Sequence, residues 1–106
     1  NKNLHQSMFA GSIYSLATLT GWGMVYLQLK ALELSGDIVL ADATIRYLAP
    51  LLTAPNARVN LLHCQGDLTR LQQGKKARQQ VQVQLFAADQ LVAEFSGRFV
   101  VLPAAH

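Results

Sequence analysis

The sequence has one cysteine, Cys64, and only 14% of its 106 residues are charged. A single cysteine cannot form an internal disulfide, so we expect a reducing compartment, the cytoplasm. One cysteine and three histidines without ligand spacing predict no metal site. Hydrophobic residues make up 51% of the sequence, and this composition, with so few charges, excludes a disordered chain. The length predicts one domain over residues 1–106.

The sequence also lacks an initiator methionine and a readable signal peptide. Because it begins at Asn1, we expect either a piece of a longer protein or a processed form. The single Lys2 and the lack of a clear small-residue cleavage site fit a secretory signal poorly. The mild net charge of +3 favours an acidic partner and does not require nucleic acid.

Charge is absent altogether from MFAGSIYSLATLTGWGMVYLQL, Met8 to Leu29. An uncharged run of this length can cross a membrane, and that alternative stays open. The run contains serine, threonine, glutamine and three glycines, however, and its flanking lysines, Lys2 and Lys30, set no orientation. We therefore favour a buried helix from near Ser7 to near Leu34, with Ser7 as its cap and Gly36 as its stop, and predict no membrane span.

Four later segments predict β-strands, because their side chains alternate between apolar and polar. These segments are Ile38–Ala49, Ala57–Gln65, Gln79–Ala87 and Leu91–Leu102. The predicted apolar faces are Val39, Ala41, Ala43, Ile45 and Tyr47 in the first, Val81, Val83 and Leu85 in the third, and Leu91, Ala93, Phe95, Phe99 and Val101 in the fourth. The last two segments should form an antiparallel hairpin. Such a sheet must bury its apolar face, and the predicted helix is the element that can pack against that face. We therefore predict an α+β fold.

Three blocks together cover nearly all of the chain: NKNLHQSMFAGSIYSLATLTGWGMVYLQL, GDIVLADATIRYLAP and GKKARQQVQVQLFAADQLVAEFSGRFVVLP. These blocks resemble the domain family of YiiD-type putative thioesterases. The resemblance implies a hot-dog fold, in which an antiparallel sheet wraps a long central helix. It also implies a homodimer or higher homo-oligomer with active sites at the interface. Hot-dog domains carry one more strand before the helix, and we expect that strand to be missing from this chain.

The first block more distantly resembles hot-dog thioesterases that act on acyl-CoA. In those proteins an asparagine precedes a His-Gly-Gly element, and an acidic residue follows within the helix. Asn3 matches the asparagine. The His-Gly-Gly element corresponds to Phe9, Ala10 and Gly11, and Thr18 stands where the acid is expected. The resemblance implies a catalytic role for Asn3, for the amides of Ala10 and Gly11 and for the position of Thr18, with Phe9 beside the substrate. Threonine at that position removes the usual general base or nucleophile.

Further residues are candidates for substrate binding. His5 and Asp42 are the candidate bases, and Arg46 and Tyr47 resemble a strand that lines the acyl tunnel in the family. Gly74, Lys75 and Lys76, together with Arg70 and Arg78, form a basic cluster that could hold the phosphates of coenzyme A or the acidic surface of an acyl carrier protein. A solvated loop explains that cluster equally well. The cluster is a poor match for nucleic acid, because no aromatic residues interleave it. Tyr14, Trp22 and Tyr26 are predicted to be core residues.

Three functions remain open at this point. Amides at a helix start could polarise a thioester carbonyl for hydrolysis, which also needs a base. Decarboxylation of a malonyl thioester needs no base, and some YiiD-type proteins are linked to starting fatty acid synthesis by that route. The third possibility is a non-catalytic module that binds a carrier or dimerises its parent protein. None of the three needs a cofactor beyond the coenzyme A or phosphopantetheine of the substrate.

Overall fold

One long helix packs against an antiparallel sheet in the computed structural model, which describes residues 2–51, 53–59 and 61–104, with side chains from residue 11 onward. The elements are α1 (Lys2–Ala31), β1 (Gly36–Tyr47), β2 (Pro55–Arg58), β3 (Cys64–Gln65), β4 (Ala77–Ala87) and β5 (Gln90–Pro103), with two 3₁₀ segments at Leu61–His63 and Leu68–Gln73. The strand order is β1-β5-β4-β2, and β3 also pairs with β4. This is the predicted α+β architecture. No helix of the described part is long and apolar enough to cross a membrane.

The inner face of the helix is a row of small and branched residues. Its buried members are Ile13, Ala17, Gly21, Val25 and Leu29, which recur every four residues. Opposite this row, the apolar faces predicted for β4 and β5 are buried except at Leu91, with Val83, Phe95 and Phe99 at most 1% exposed. A Cβ atom on Gly21 would lie 2.9 Å from two atoms of the Phe99 ring. Glycine at that position therefore lets the helix approach the sheet closely.

The helix ends earlier than predicted, because a glutamate rather than a glycine provides the stop. Glu33 adopts a left-handed conformation with φ of 57°. The Leu34 amide donates to the Leu29 carbonyl at 2.8 Å, and the Glu33 amide donates to the Lys30 carbonyl at 3.1 Å. This pair of bonds is the Schellman pattern that satisfies the last carbonyls of a helix. Gly36, predicted as the stop, instead begins β1.

The first strand departs from the predicted alternation because it contains a β-bulge. The register against β5 shifts between Leu40 and Asp42, which leaves Ala41 as the extra residue. The residues of β1 that pack against the core are Ile38, Leu40, Ala43 and Ile45. Val39, predicted to lie with Ala43 and Ile45, is 46% exposed, so that part of the prediction is wrong.

The second predicted strand is broken into two short pieces. β2 pairs with the C-terminal end of β4, and β3 pairs with its middle, at Gln80 and Val81. The 3₁₀ turn Leu61–His63 comes between them. Pro55 is tolerated because it is the first residue of an edge strand, where its missing amide costs no ladder hydrogen bond.

Candidate functional site

The start of α1 differs from the prediction, and this changes which amides are free. The helix begins at Lys2 rather than near Ser7. Ala10 and Gly11 therefore lie in its third turn, where each amide bonds to the carbonyl four residues earlier. The free amides of a helix belong to its first turn. The prediction that the Ala10 and Gly11 amides face a thioester unpaired is wrong.

The remaining predictions for the first block depend on side chains. Those of Asn3, His5, Phe9 and Ala10 lie outside the described side chains, so their roles stay predictions. Gly11 is described and exposed, and a Cβ atom built on it would meet nothing within 4 Å. Its surface is open to a ligand.

Thr18 carries the one unexplained polar atom of the described part of the helix. Its Oγ1 is buried and has no hydrogen-bond partner among the described residues. The hydroxyl of a threonine in a helix can donate a hydrogen bond to the carbonyl four residues earlier. The Thr20 hydroxyl does so, donating to the Leu16 carbonyl at 2.7 Å. A buried hydroxyl without a partner costs about 1–3 kcal/mol, so its retention calls for an explanation. A bound substrate group is one such explanation.

Aromatic side chains flank Thr18 along what we call the helix ridge. The helix ridge consists of Tyr14, Thr18, Trp22, Tyr26 and Lys30, which follow one another every four residues. Tyr14 meets Phe95 edge to face with ring centres 6.0 Å apart, and Trp22 stacks on Tyr26 at 5.3 Å. The Lys30 ammonium lies 5.6 Å from the centre of the Tyr26 ring. The three ridge aromatics are 40–42% exposed, so the prediction that they are core residues is wrong. By helical spacing, Tyr14 lies one turn before Thr18 and Trp22 lies one turn after it.

Carboxylates are scarce near this ridge. α1 contains none in its sequence. Asp42, a predicted base, lies on the outer face of the sheet, away from α1, and pairs with Arg98. Arg46 lies on the same outer face and pairs with Glu94 at 3.2 Å, while Tyr47 at the end of β1 is 49% exposed. One copy of the described chain therefore does not bring Asp42 or Arg46 to the Thr18 hydroxyl.

The predicted basic cluster surrounds the end of the second 3₁₀ segment. Asp67 caps the start of that segment by accepting from the Thr69 amide and hydroxyl, which holds the pKa of Asp67 below its ordinary value. Gly74 ends the segment in a left-handed conformation with φ of 73°. The basic side chains Arg70, Lys75, Lys76 and Arg78 are exposed, and none forms an ion pair in the described ranges. The cluster therefore keeps its positive charge available for an anionic partner.

Comparison with known proteins identifies the family. The family model described as "Putative thioesterase (yiiD_Cterm)" matches residues 1–103. The chain belongs to this family. A crystal structure described as that of a putative thioesterase from Shewanella oneidensis is 51% identical, with a TM-score of 0.79. The match covers 89% of this chain and 64% of that chain, so this chain spans less than two thirds of the Shewanella protein. The predicted family and hot-dog fold are confirmed.

The YiiD-type domain also buries a polar cluster that the sequence reasoning missed. Gln79 on β4 is 3% exposed, and its amide exchanges hydrogen bonds of 2.7 and 2.9 Å with the amide of Gln28. Burial raises the pKa of the nearby Cys64 thiol, and a hydrogen bond from Gln28 partly opposes that rise. The signal for Gln79 was present in the sequence, because the alternation that places Val81 inside also places Gln79 inside. Cys64 packs on the core, while His63, predicted to lie in the same strand, belongs to the 3₁₀ turn Leu61–His63.

The raised pKa of Cys64 predicts slow alkylation of the folded domain. At pH 8 we expect iodoacetamide to modify Cys64 more slowly in the folded chain than in urea, because less of the buried thiol is ionised. Replacing Gln28 with leucine should move the pH profile of alkylation upward, since the opposing hydrogen bond is lost. The unfolded chain ionises first, so this thiol should reduce stability as pH rises above the ordinary thiol range. Mass spectrometry of timed samples measures the rates, and equal rates in folded and unfolded chains would contradict the prediction.

Proposed function

We propose that this domain acts on acyl thioesters of coenzyme A or acyl carrier protein, with the thioester carbonyl placed at Thr18 on the helix ridge. The observation that carries the proposal is the buried Thr18 hydroxyl, which has no partner among the described side chains, in a family described as thioesterases. A donor aimed at the carbonyl oxygen stabilises the negative charge that develops there. The partly exposed aromatic side chains of the helix ridge would keep water from solvating the reacting group.

Asn3 is the second donor in this proposal. It takes over the role first predicted for the amides of Ala10 and Gly11, which the longer helix bonds internally. In hydrolysis, water attacks the carbonyl carbon, a base accepts the proton of that water, and the thiol leaves with a proton. His5 is the candidate base on α1, because Asp42 is paired with Arg98 on the other face of the sheet.

Decarboxylation of a malonyl thioester is a second candidate, and the absence of a carboxylate from α1 favours it. Loss of carbon dioxide leaves an enolate on the thioester oxygen, which needs donors such as Thr18 and Asn3 but no base. The carbanion carbon is then protonated to give the acetyl thioester. An acidic residue in the pocket would instead repel the malonyl carboxylate.

The exposed basic cluster around Gly74 would hold the substrate's anionic carrier. Lys75 and Lys76 form no ion pair in the described chain, so they can meet coenzyme A phosphates or an acidic carrier surface without first breaking an internal bond. We further propose a homodimer that completes the site. β1 pairs on one side only among the described strands, so its free edge can accept a second copy.

The test is a screen of saturated and malonyl thioesters of coenzyme A and carrier protein that measures thiol and carbon dioxide separately. Thiol release without carbon dioxide supports hydrolysis, and carbon dioxide without thiol supports decarboxylation. We expect Thr18→Val and Asn3→Ala each to lower kcat/KM by about 10²-fold, the usual loss when one oxyanion donor is removed. Thr20→Val is the matched control, because Thr20 satisfies its hydroxyl on its own helix and should leave kcat/KM within about twofold.

Two outcomes would contradict the proposal. Unchanged turnover in both Thr18→Val and Asn3→Ala would remove these residues from the site. No turnover of any thioester, together with binding of a carrier protein, would instead favour the non-catalytic module. Circular dichroism of each variant checks that the fold is retained.

A further inference from the structure

A cavity of about 450 Å³ lies on the outer face of the sheet, the face turned away from α1. This volume is within the range of small-molecule sites. The cavity uses neither Thr18 nor Gly11, and the sheet separates it from the helix ridge. We call it the outer-face cavity. An inference about it therefore does not depend on the proposed thioester function.

Two neighbouring rows of polar side chains form the floor of the outer-face cavity. Across β1, β5 and β4, the register aligns Thr44 with Ser96 and Gln82 in one row, and Arg46 with Glu94 and Gln84 in the next. Residues aligned in this way project from the same face of the sheet at close spacing. His63, from the 3₁₀ turn beside β4, adds an imidazole to the lining. The floor is therefore a compact grid of hydroxyl, amide and charged groups.

Most of these groups have hydrogen-bonding capacity left over. The Thr44 hydroxyl and the amides of Gln82 and Gln84 bond to no described residue. Ser96 accepts from the Gln80 amide at 2.7 Å, which leaves its own hydrogen free to donate. The His63 Nδ1 atom is buried and has no partner among the described residues. The exposed Thr44 and Gln82 groups can bond to water, but the buried His63 nitrogen cannot, so a ligand that bonds to this nitrogen and to the neighbouring amides would satisfy it.

The charges of the outer-face cavity cancel. Arg46 and Glu94 pair with each other at 3.2 Å, so an anion would meet the Glu94 carboxylate and a cation would meet the Arg46 guanidinium. Donors and acceptors are both present, since each free amide offers both and the Thr44 hydroxyl does as well. A ligand hydroxyl also donates and accepts. We propose that the outer-face cavity binds a small neutral polyhydroxylated molecule, a sugar or similar polyol.

The test uses the ¹⁵N-labelled chain titrated with D-ribose, D-glucose and maltose in turn, followed by NMR. We expect at least one sugar to give saturable shifts in the side-chain amides of Gln82 and Gln84. Gln82→Ala should weaken that binding by roughly tenfold, the effect of losing one or two hydrogen bonds. Asp37→Ala is the matched control, because Asp37 is exposed on β1 and does not line the cavity, so binding should be unchanged.

Other results would overturn the proposal. These are no saturable shift with any of the three sugars, shifts confined to residues outside the cavity, or equal affinity in Gln82→Ala and the parent chain. Succinate and spermidine serve as the anionic and cationic comparisons. If either shifts the Gln82 and Gln84 amides while the sugars do not, the ligand is charged and the proposal is wrong. Because Gln82 is exposed, its replacement should leave the backbone spectrum otherwise intact, which the same data verify.

Discussion

Replacing Gly66 with alanine is expected to destabilise the domain by about 4 kcal/mol or more, among the largest effects of any single substitution. A Cβ atom on Gly66 would lie 2.1 Å from the carbonyl oxygen of Arg78 and 2.9 Å from Cα of Gln79. Both obstacles are backbone atoms of β4, which cannot move unless the pairing of β3 with β4 is lost. The Gly66 φ of 137° adds strain, because side-chain-bearing residues rarely adopt it. Urea denaturation followed by circular dichroism measures the free energy of unfolding.

Gly74→Ala is the matched control for this prediction. Gly74 also has a positive φ, 73°, but a Cβ atom there would meet nothing within 4 Å. Replacing Gly74 with alanine should lower the free energy of unfolding by only about 1 kcal/mol, the cost of holding alanine in the left-handed conformation. Equal losses in Gly66→Ala and Gly74→Ala would show that backbone crowding at Gly66 is not the cause.

The regular part of the fold was predictable because one local pattern dominated each element. In β4 the alternation of valine with glutamine leaves a single register that buries the apolar side, and Val81 and Val83 are buried accordingly. The uncharged run Met8–Leu29 predicted a helix, and the four alternating strands that need one face covered favoured packing against the sheet over a membrane span. The bulge at Ala41 was not predictable, because an extra residue in one strand is fixed by its partner β5 and not by its own alternation.

The candidate site was less predictable, because it depends on how far the helix extends and which atoms lack partners. Ser7 is a good cap in isolation, yet the helix already includes the residues from Lys2 onward, so Ser7 is not its cap. The sequence suggested a role for Thr18 through resemblance alone, and it does not show that the Thr18 hydroxyl is buried without a partner among the described residues. The outer-face cavity joins Thr44, Ser96 and Gln82 from three strands, so only the register brings its groups together.

Phe99→Ala is the second substitution with a large expected effect, a loss of about 3–5 kcal/mol. The Phe99 ring is completely buried between the sheet and α1, and it lies against Gly21 and Gly97. Glycines offer no side chain that could move into the space left by the ring, so most of the cavity should persist. Leu19→Ala is the control, because Leu19 is 68% exposed and its loss should change stability by about 0.5 kcal/mol or less. A loss below about 2 kcal/mol for Phe99→Ala would mean that the helix can collapse onto the sheet.

Whether Gly21→Ala stabilises or destabilises the domain should depend on whether the Phe99 ring is present. In the parent chain the new methyl group would lie 2.9 Å from the buried Phe99 ring, and this crowding should outweigh the helix propensity of about 1 kcal/mol that alanine gains. In the Phe99→Ala background the obstacle is gone, so Gly21→Ala should become stabilising. Gly23→Ala, which meets nothing within 4 Å, should stabilise both backgrounds equally. A double-mutant cycle measures the coupling, and additive effects of Gly21→Ala and Phe99→Ala would show that this glycine does not set the distance between helix and sheet.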